Sequence, residues 1–174
     1  MIPTDPIFRG FLEAQLQAGM SLAQESDILD LAPLAPFPPQ RYLARFKCAS
    51  LAGKSATTLR PVSEILVGIR FPHDYLRKEV NTVDVIEVLD PVDLWHSNVH
   101  PQKRVVCIGH WAPGTPLTDL MHQLYEIFSW QKKNTVHGLN PLAMEWALQH
   151  ADELPLDRRP LRSLKNPQAA AERS

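Results

Sequence analysis

His96-Ser97-Asn98-Val99-His100-Pro101-Gln102-Lys103-Arg104-Val105-Val106-Cys107-Ile108-Gly109-His110-Trp111-Ala112-Pro113 is the stretch on which the reading of this chain turns. It sets one of only two cysteines just after a basic turn, with an asparagine amide a few residues upstream. An amide and a thiol held that close suit a thioester site, the amide steadying the charge that develops there. The same residues supply histidines, so a metal centre competes: His96, His100, Cys107 and His110 offer nitrogen and sulfur ligands suited to zinc. Their spacing is irregular, Pro101 follows His100 directly and no paired C-x-x-C knuckle is present. The histidines therefore read as surface or hydrogen-bonding residues, and no metal is expected. A cysteine–histidine hydrolase would need His110 or His137 as a base oriented by a third group. The plainest alternative is a buried thiol, because Val105-Val106-Cys107-Ile108 is an apolar run and free cysteine packs as a small hydrophobe. Gly109, Pro113 and Gly114 argue instead for a strand end, with Lys103 and Arg104 placed to favour a thiolate.

The bulk properties narrow the class. A chain of 174 residues suffices for one domain with a real core and is short for two. A formal charge of -1 leaves no nucleic-acid footprint, and no apolar run approaches the roughly 20 residues a bilayer span needs. Met1-Ile2-Pro3-Thr4-Asp5-Pro6 lacks the basic and apolar blocks of a secretory signal. Cys48 and Cys107 are accordingly expected unpaired, in a reducing cytoplasm.

Asp5-Pro6 predicts a helix start, followed by an apolar stripe of Ile7, Phe8, Phe11, Leu12 and Leu16 that Gly19 is expected to end. Pro33 to Pro39 reads as an extended connector. Tyr42 to Leu51, Glu64 to Phe71 and Val83 to Leu89 read as strands, with Ala52 to Pro61 a hairpin loop. Cys48 falls on the side of Tyr42, Ala44 and Phe46, which predicts a buried structural thiol. Thr115-Pro116 opens a second helix carrying Leu117, Leu120, Met121, Leu124, Ile127 and Phe128 at helical spacing, with Lys132 and Lys133 as its solvated cationic end. Asn140-Pro141 opens a third, with Leu142, Ala143, Trp146 and Ala147 facing inward. Residues 1–153 are thus one α+β domain of N-terminal helix, antiparallel β-meander of about four strands and C-terminal helices on the sheet. Residues 154–174, polar and broken by proline, read as a flexible tail.

The chain resembles the ubiquitin-conjugating enzyme (UBC-like) family, from about Ile7 to Trp146. His96-Ser97-Asn98 stands where that family has His-Pro-Asn, and Val106-Cys107-Ile108 where it has its catalytic cysteine. Trp111-Ala112-Pro113 is similar to its Trp-x-Pro helix opening. Phe71-Pro72-His73-Asp74-Tyr75 is similar to its Phe-Pro-x-x-Tyr step, and Leu139-Asn140-Pro141-Leu142-Ala143 to its Leu-Asn-x-x-Ala helix start. Ser97 replaces the motif's proline, which is expected to loosen the turn presenting Asn98. The Cys107–Trp111 loop is short, and Leu76-Arg77 replaces the Pro-Phe that helps dock ligases. The family's acidic gate falls around Asn134 or Thr135, with His137 nearby. This compact pattern is similar to conjugating enzymes of bacterial ubiquitin-like operons, some linked to antiviral defence.

The resemblance implies a thioester-forming acyltransferase without cofactors. Cys107 takes a ubiquitin-like modifier from an activating-type enzyme and passes it to a substrate lysine, while Asn98 steadies the oxyanion or organises the adjoining loop. The alternative within the family is a non-catalytic variant that binds a ubiquitin-like partner without carrying it. His96 and Trp111 support the motif in either case.

Overall fold

A computed structural model describes residues 5–79, 85–109 and 111–163. His110, the predicted strand start at Val83 and the tail beyond Ser163 lie outside the described residues. Helix α1 spans Pro6–Gln24. Its cap forms as the sequence predicts: the Asp5 carboxylate accepts the Ile7 N–H at 2.9 Å, and Pro6 occupies the first turn, where no N–H is needed. Gly19 does not end the helix. A Cβ there would lie 2.8 Å from a Leu117 methyl and 2.9 Å from one of Leu31, so the glycine permits close approach of helix to core. Ile7, assigned to the apolar stripe, faces solvent, while Phe8, Leu12 and Leu22 are buried.

The sheet has four antiparallel strands in the order β1 (Leu29–Leu34), β2 (Arg41–Phe46), β5 (Ile65–Arg70), β6 (Ile86–Asp90). Strand β1 includes Pro33 and Leu34, the first residues of the extended connector that the sequence predicts over Pro33 to Pro39. It lies at the edge of the sheet, where the missing proline N–H costs no ladder bond on the open side. The predicted Tyr42–Leu51 strand is two elements: β2 ends at Phe46, and β3 (Ser50–Ala52) pairs with β4 (Arg60–Val62) as a separate hairpin. Alternation on β2 buries Tyr42, Ala44 and Phe46 on one face, and Cys48 continues on that side beyond the strand's end.

Helix α2 (Leu117–Phe128) closes this core with the predicted stripe, and Phe128 meets Phe46 edge-on at 5.3 Å between ring centres. Each such fully buried side chain contributes about 1.5–3 kcal/mol. Thr115 does not cap the helix. Pro116 holds the cap position, and the Leu117 N–H goes instead to Gln15 Oε1 of α1 at 2.8 Å, so a buried amide joins the two helices. Helix α3 (Pro141–Gln149) starts where Asn140 accepts the Ala143 N–H at 3.2 Å. Rather than lying on the sheet, α3 buries Ala143 and Ala147 in a second cluster with Trp95, Trp130 and Leu154, leaving Leu142 exposed.

The chain beyond Leu154 is not a free tail up to Ser163. Leu161 is buried in the main core, Tyr125 donates its hydroxyl to Arg159 O at 2.8 Å, and Arg159 donates to Lys47 O at 2.8 Å. The prolines that break helix here leave backbone groups free, and those of Asp157, Arg159 and Ser163 pair with Ser129 O, the Tyr125 hydroxyl and Glu25 O rather than being left in solvent. Among the described residues no helix is long and apolar enough to cross a membrane.

Candidate functional site

Within the segment from Leu94 to Ile108, Arg104 and Val105 lie along the free edge of β6. Val105 bridges Glu87, Val106 bridges Val99, and Val88 N–H donates to Arg104 O at 2.8 Å. The chain turns back between these contacts because Arg104 sits in the left-handed region at φ 58° and donates its N–H to His100 O at 2.8 Å. This hairpin brings Asn98 and Cys107 face to face. Cys107 N–H donates to Asn98 O at 2.8 Å, and Asn98 Nδ2 donates back to Cys107 O at 2.8 Å. The cysteine's backbone is thereby held on both sides, and its side chain is half-buried.

The Asn98 amide orientation follows from its neighbours. Oδ1 accepts from Ser97 Oγ–H at 3.1 Å and from Asn134 N–H at 2.8 Å, so Nδ2 must face the Cys107 carbonyl. Nδ2 carries two N–H groups, and one is engaged with Cys107. Ser97 does not loosen the turn. It is fully buried, its hydroxyl also accepts from Asn134 N–H at 3.1 Å, and its carbonyl accepts from Asn140 N–H at 3.2 Å. A proline here would supply ring rigidity but no hydroxyl, so the serine holds the turn through tertiary hydrogen bonds instead. Gly138 fits the same packing: a Cβ there would stand 2.9 Å from Ser97 O.

His96 supports the turn from below. It is fully buried, and its Nδ1 accepts the Asn98 N–H at 3.0 Å, which places the ring proton on Nε2. The ring lies 4.3 Å from that of Trp130, between centres. Burial, reinforced by the Lys133 charge, pushes the imidazole down to about 3, so it stays neutral. Trp111 is buried and donates Nε1–H to the Tyr75 hydroxyl at 2.8 Å, while that hydroxyl donates to Thr115 O at 2.6 Å. The Phe71–Tyr75 step and the Trp111–Pro113 segment are thus one locked unit.

Of the predicted gate residues, the structure brings Asn134 into direct contact with Asn98, through its backbone. Its side chain is occupied in its own turn, accepting the N–H groups of Val136 at 3.0 Å and His137 at 2.9 Å. Thr135 and His137 are exposed on that turn. Arg104, expected to favour a thiolate, is paired with the Glu87 carboxylate. His100 Nδ1 accepts from the N–H groups of Gln102 and Lys103, both at 3.2 Å. Among the described residues no group of three or more His, Cys, Asp or Glu side chains could hold a metal ion.

The two thiols differ sharply. Burial, with a smaller contribution from the Asp157 charge, pushes the Cys48 thiol up to about 12, whereas Cys107 is partly open. A disulfide-reagent titration of the native protein is expected to report one fast thiol, lost in Cys107→Ala, and the second only on unfolding. Two fast thiols in the native state would contradict this burial. Sequence reading did not find the backbone of Asn134 as a ligand of Asn98, since a main-chain N–H leaves no trace in residue type. It also gave Lys132 a purely solvated place, whereas its Nζ donates to Ile108 O at 3.5 Å.

No protein-family model and no curated protein matches this sequence.

Proposed function

We propose that this chain is a ubiquitin-like-protein conjugating enzyme, which carries its modifier as a thioester on Cys107 and passes it to a substrate lysine. The observation that carries the reading is the reciprocal pairing of Asn98 and Cys107, with the reacting thiol half-open and the other thiol sealed. The order of elements agrees with the UBC-like architecture: an N-terminal helix, a four-stranded antiparallel sheet, the cysteine segment off its last strand and then helices. The Trp111–Tyr75 hydrogen bond, which ties two of the resembling motifs together, supports it further.

In this reading the Cys107 thiolate attacks the thioester that an activating-type enzyme forms with the modifier's C-terminal glycine. The C–S bond to Cys107 forms and the activating enzyme's thiolate leaves. A neutral lysine then attacks the same carbonyl, the Cys107 thiolate departs, and the nitrogen's proton passes to solvent. Both steps place negative charge on the carbonyl oxygen. The Asn98 amide retains one N–H for it while the other fixes the Cys107 backbone. Asn134 acts as an organiser, which leaves Thr135 and His137 to face the incoming lysine. A cytoplasmic setting, where thiols stay reduced, suits such a carrier.

Incubation with a cognate activating enzyme, ATP and ubiquitin-like protein tests this on gels run with and without thiol reductant. A reductant-sensitive adduct is expected that persists in Cys48→Ala and disappears in Cys107→Ala. No adduct, with an activating enzyme shown to be competent, would sink the carrier reading and leave the binding-only variant.

A further inference from the structure

Lys132 sits one turn beyond α2, on a segment fixed at both ends. Trp130, buried and held at φ 61°, forces the chain to reverse, and Lys132 N–H donates to Glu126 O at 2.8 Å. On one side Gln131 donates to Asp157 O at 2.6 Å, and Asp157 N–H donates to Ser129 O at 3.3 Å, so the segment after Leu154 braces the turn. On the other side, Asn134 N–H is bound to Asn98 Oδ1 at 2.8 Å. Between these anchors the Lys132 side chain reaches over the cysteine segment, and its ammonium meets the carbonyl of Ile108, the residue after Cys107. That contact is 3.5 Å, the outer limit of a hydrogen bond, and is readily released. Lys47 and Lys78 are paired with Asp30 and Asp74, whereas Lys132 has no carboxylate partner among the described residues.

We propose that Lys132 is a self-modification site: an intramolecular acceptor for an acyl group carried on Cys107. The inference rests on the reading of Cys107 as a thioester carrier. The Lys132 ammonium first gives a proton to solvent; its neutral Nζ then attacks the thioester carbonyl carbon, a C–N bond forms, the C–S bond breaks and Cys107 leaves as thiolate. The proton lost by nitrogen goes to solvent or to the thiolate, so an amide and a free Cys107 remain. No oxidant or cofactor is needed. Adjacent residues place their Cα atoms only about 3.8 Å apart, so an amine at the Ile108 carbonyl is within side-chain reach of an acyl group on Cys107. Tethering at that range gives it an effective concentration of at least ~mM, against which dilute lysines in solution compete poorly.

The test uses the full chain and a small acyl donor, the mercaptoethanesulfonate thioester of N-acetylglycylglycine. The protein is acylated, freed of donor and followed by peptide mass mapping before and after neutral hydroxylamine, which cleaves thioesters and spares amides. The expected course is a hydroxylamine-labile acyl group on Cys107 that converts to a stable one on Lys132, at a rate independent of protein concentration. Lys132→Arg should keep the thioester and reduce the amide at least about tenfold, while Lys54→Arg and Lys133→Arg leave it unchanged. Cys107→Ala should lose both. A persistent Cys107 thioester with no Lys132 amide overturns this proposal alone, as does an amide formed equally in Cys107→Ala or spread evenly over the three lysines. A rate that scales with protein concentration also overturns it. Failure of Cys107 to take up acyl groups both from this donor and from a competent activating enzyme overturns the carrier reading with it.

Discussion

Replacing Asn98 with alanine is expected to slow transfer of a preformed thioester to free lysine by about 10²–10³, the usual effect of losing one donor to a developing oxyanion. Charging of Cys107 should persist, because the cysteine backbone also donates to Asn98 O, a main-chain contact that alanine retains. The amide does three things at once: it binds Cys107 O, Ser97 Oγ and Asn134 N. Its loss also leaves the Asn134 N–H with only Ser97 Oγ, so part of the effect is positional. Asn98→Asp separates the parts. A carboxylate keeps the acceptor for Asn134 and Ser97 but cannot donate, and it would set negative charge against the Cys107 carbonyl. Single-turnover chase of the charged protein should therefore find Asn98→Asp at least as slow as Asn98→Ala. An unchanged chase rate in Asn98→Ala would remove the role assigned to this amide.

His96 should make the fold unusually sensitive to acid. An unfolded histidine takes up its proton near pH 6.5, whereas burial in the fold holds this one down to about 3. Below pH 6.5 the unfolded chain thus binds a proton that the native state refuses. Stability from this group is fully present above that point and falls as pH drops, by up to about 1.4 kcal/mol per unit, until the folded value is reached. Protonation would also oppose the Asn98 N–H, since Nδ1 would change from acceptor to donor. His96→Asn supplies a non-titrating acceptor at about the position of Nδ1. Denaturant melts between pH 7 and pH 5 should show the wild type losing more stability than His96→Asn, by more than about 1 kcal/mol. Parallel pH dependences would mean that His96 is not held neutral.

Much of this fold was legible locally. Asp5 and Asn140 announce helix starts because a short polar side chain can take an orphan N–H, and both do so. The spacing of Leu117, Leu120, Met121, Leu124, Ile127 and Phe128 fixes which face of α2 is buried. Local signals failed where tertiary contacts overrode them. Proline at position 33 argues against a strand until the strand is known to be an edge. Gly19 reads as a helix stop until Leu31 and Leu117 are seen crowding it. The proline-rich chain after Leu154 reads as a tail until Arg159 meets Lys47 O, more than a hundred residues away in sequence.

The site divides in the same way. The pairing of Asn98 with Cys107 is readable because a turn sets the two close together in sequence. Ser97 reads as a loosened turn because its value lies in Asn134 and Asn140, whose N–H groups reach it from a distant loop. Lys132 reads as a helix-end cation, since nothing near it in sequence announces the Ile108 carbonyl.

Thioester formation on Cys107 is tested by a peptide mass map of the wild-type protein after charging with a cognate activating enzyme, ATP and ubiquitin-like protein, quenched without reductant. The expected result is the modifier's C-terminal glycine on the peptide containing Cys107, released by neutral hydroxylamine and by thiols. A modifier found on Cys48, or a Cys107 peptide left unmodified by an activating enzyme that charges in the same tube, would contradict it.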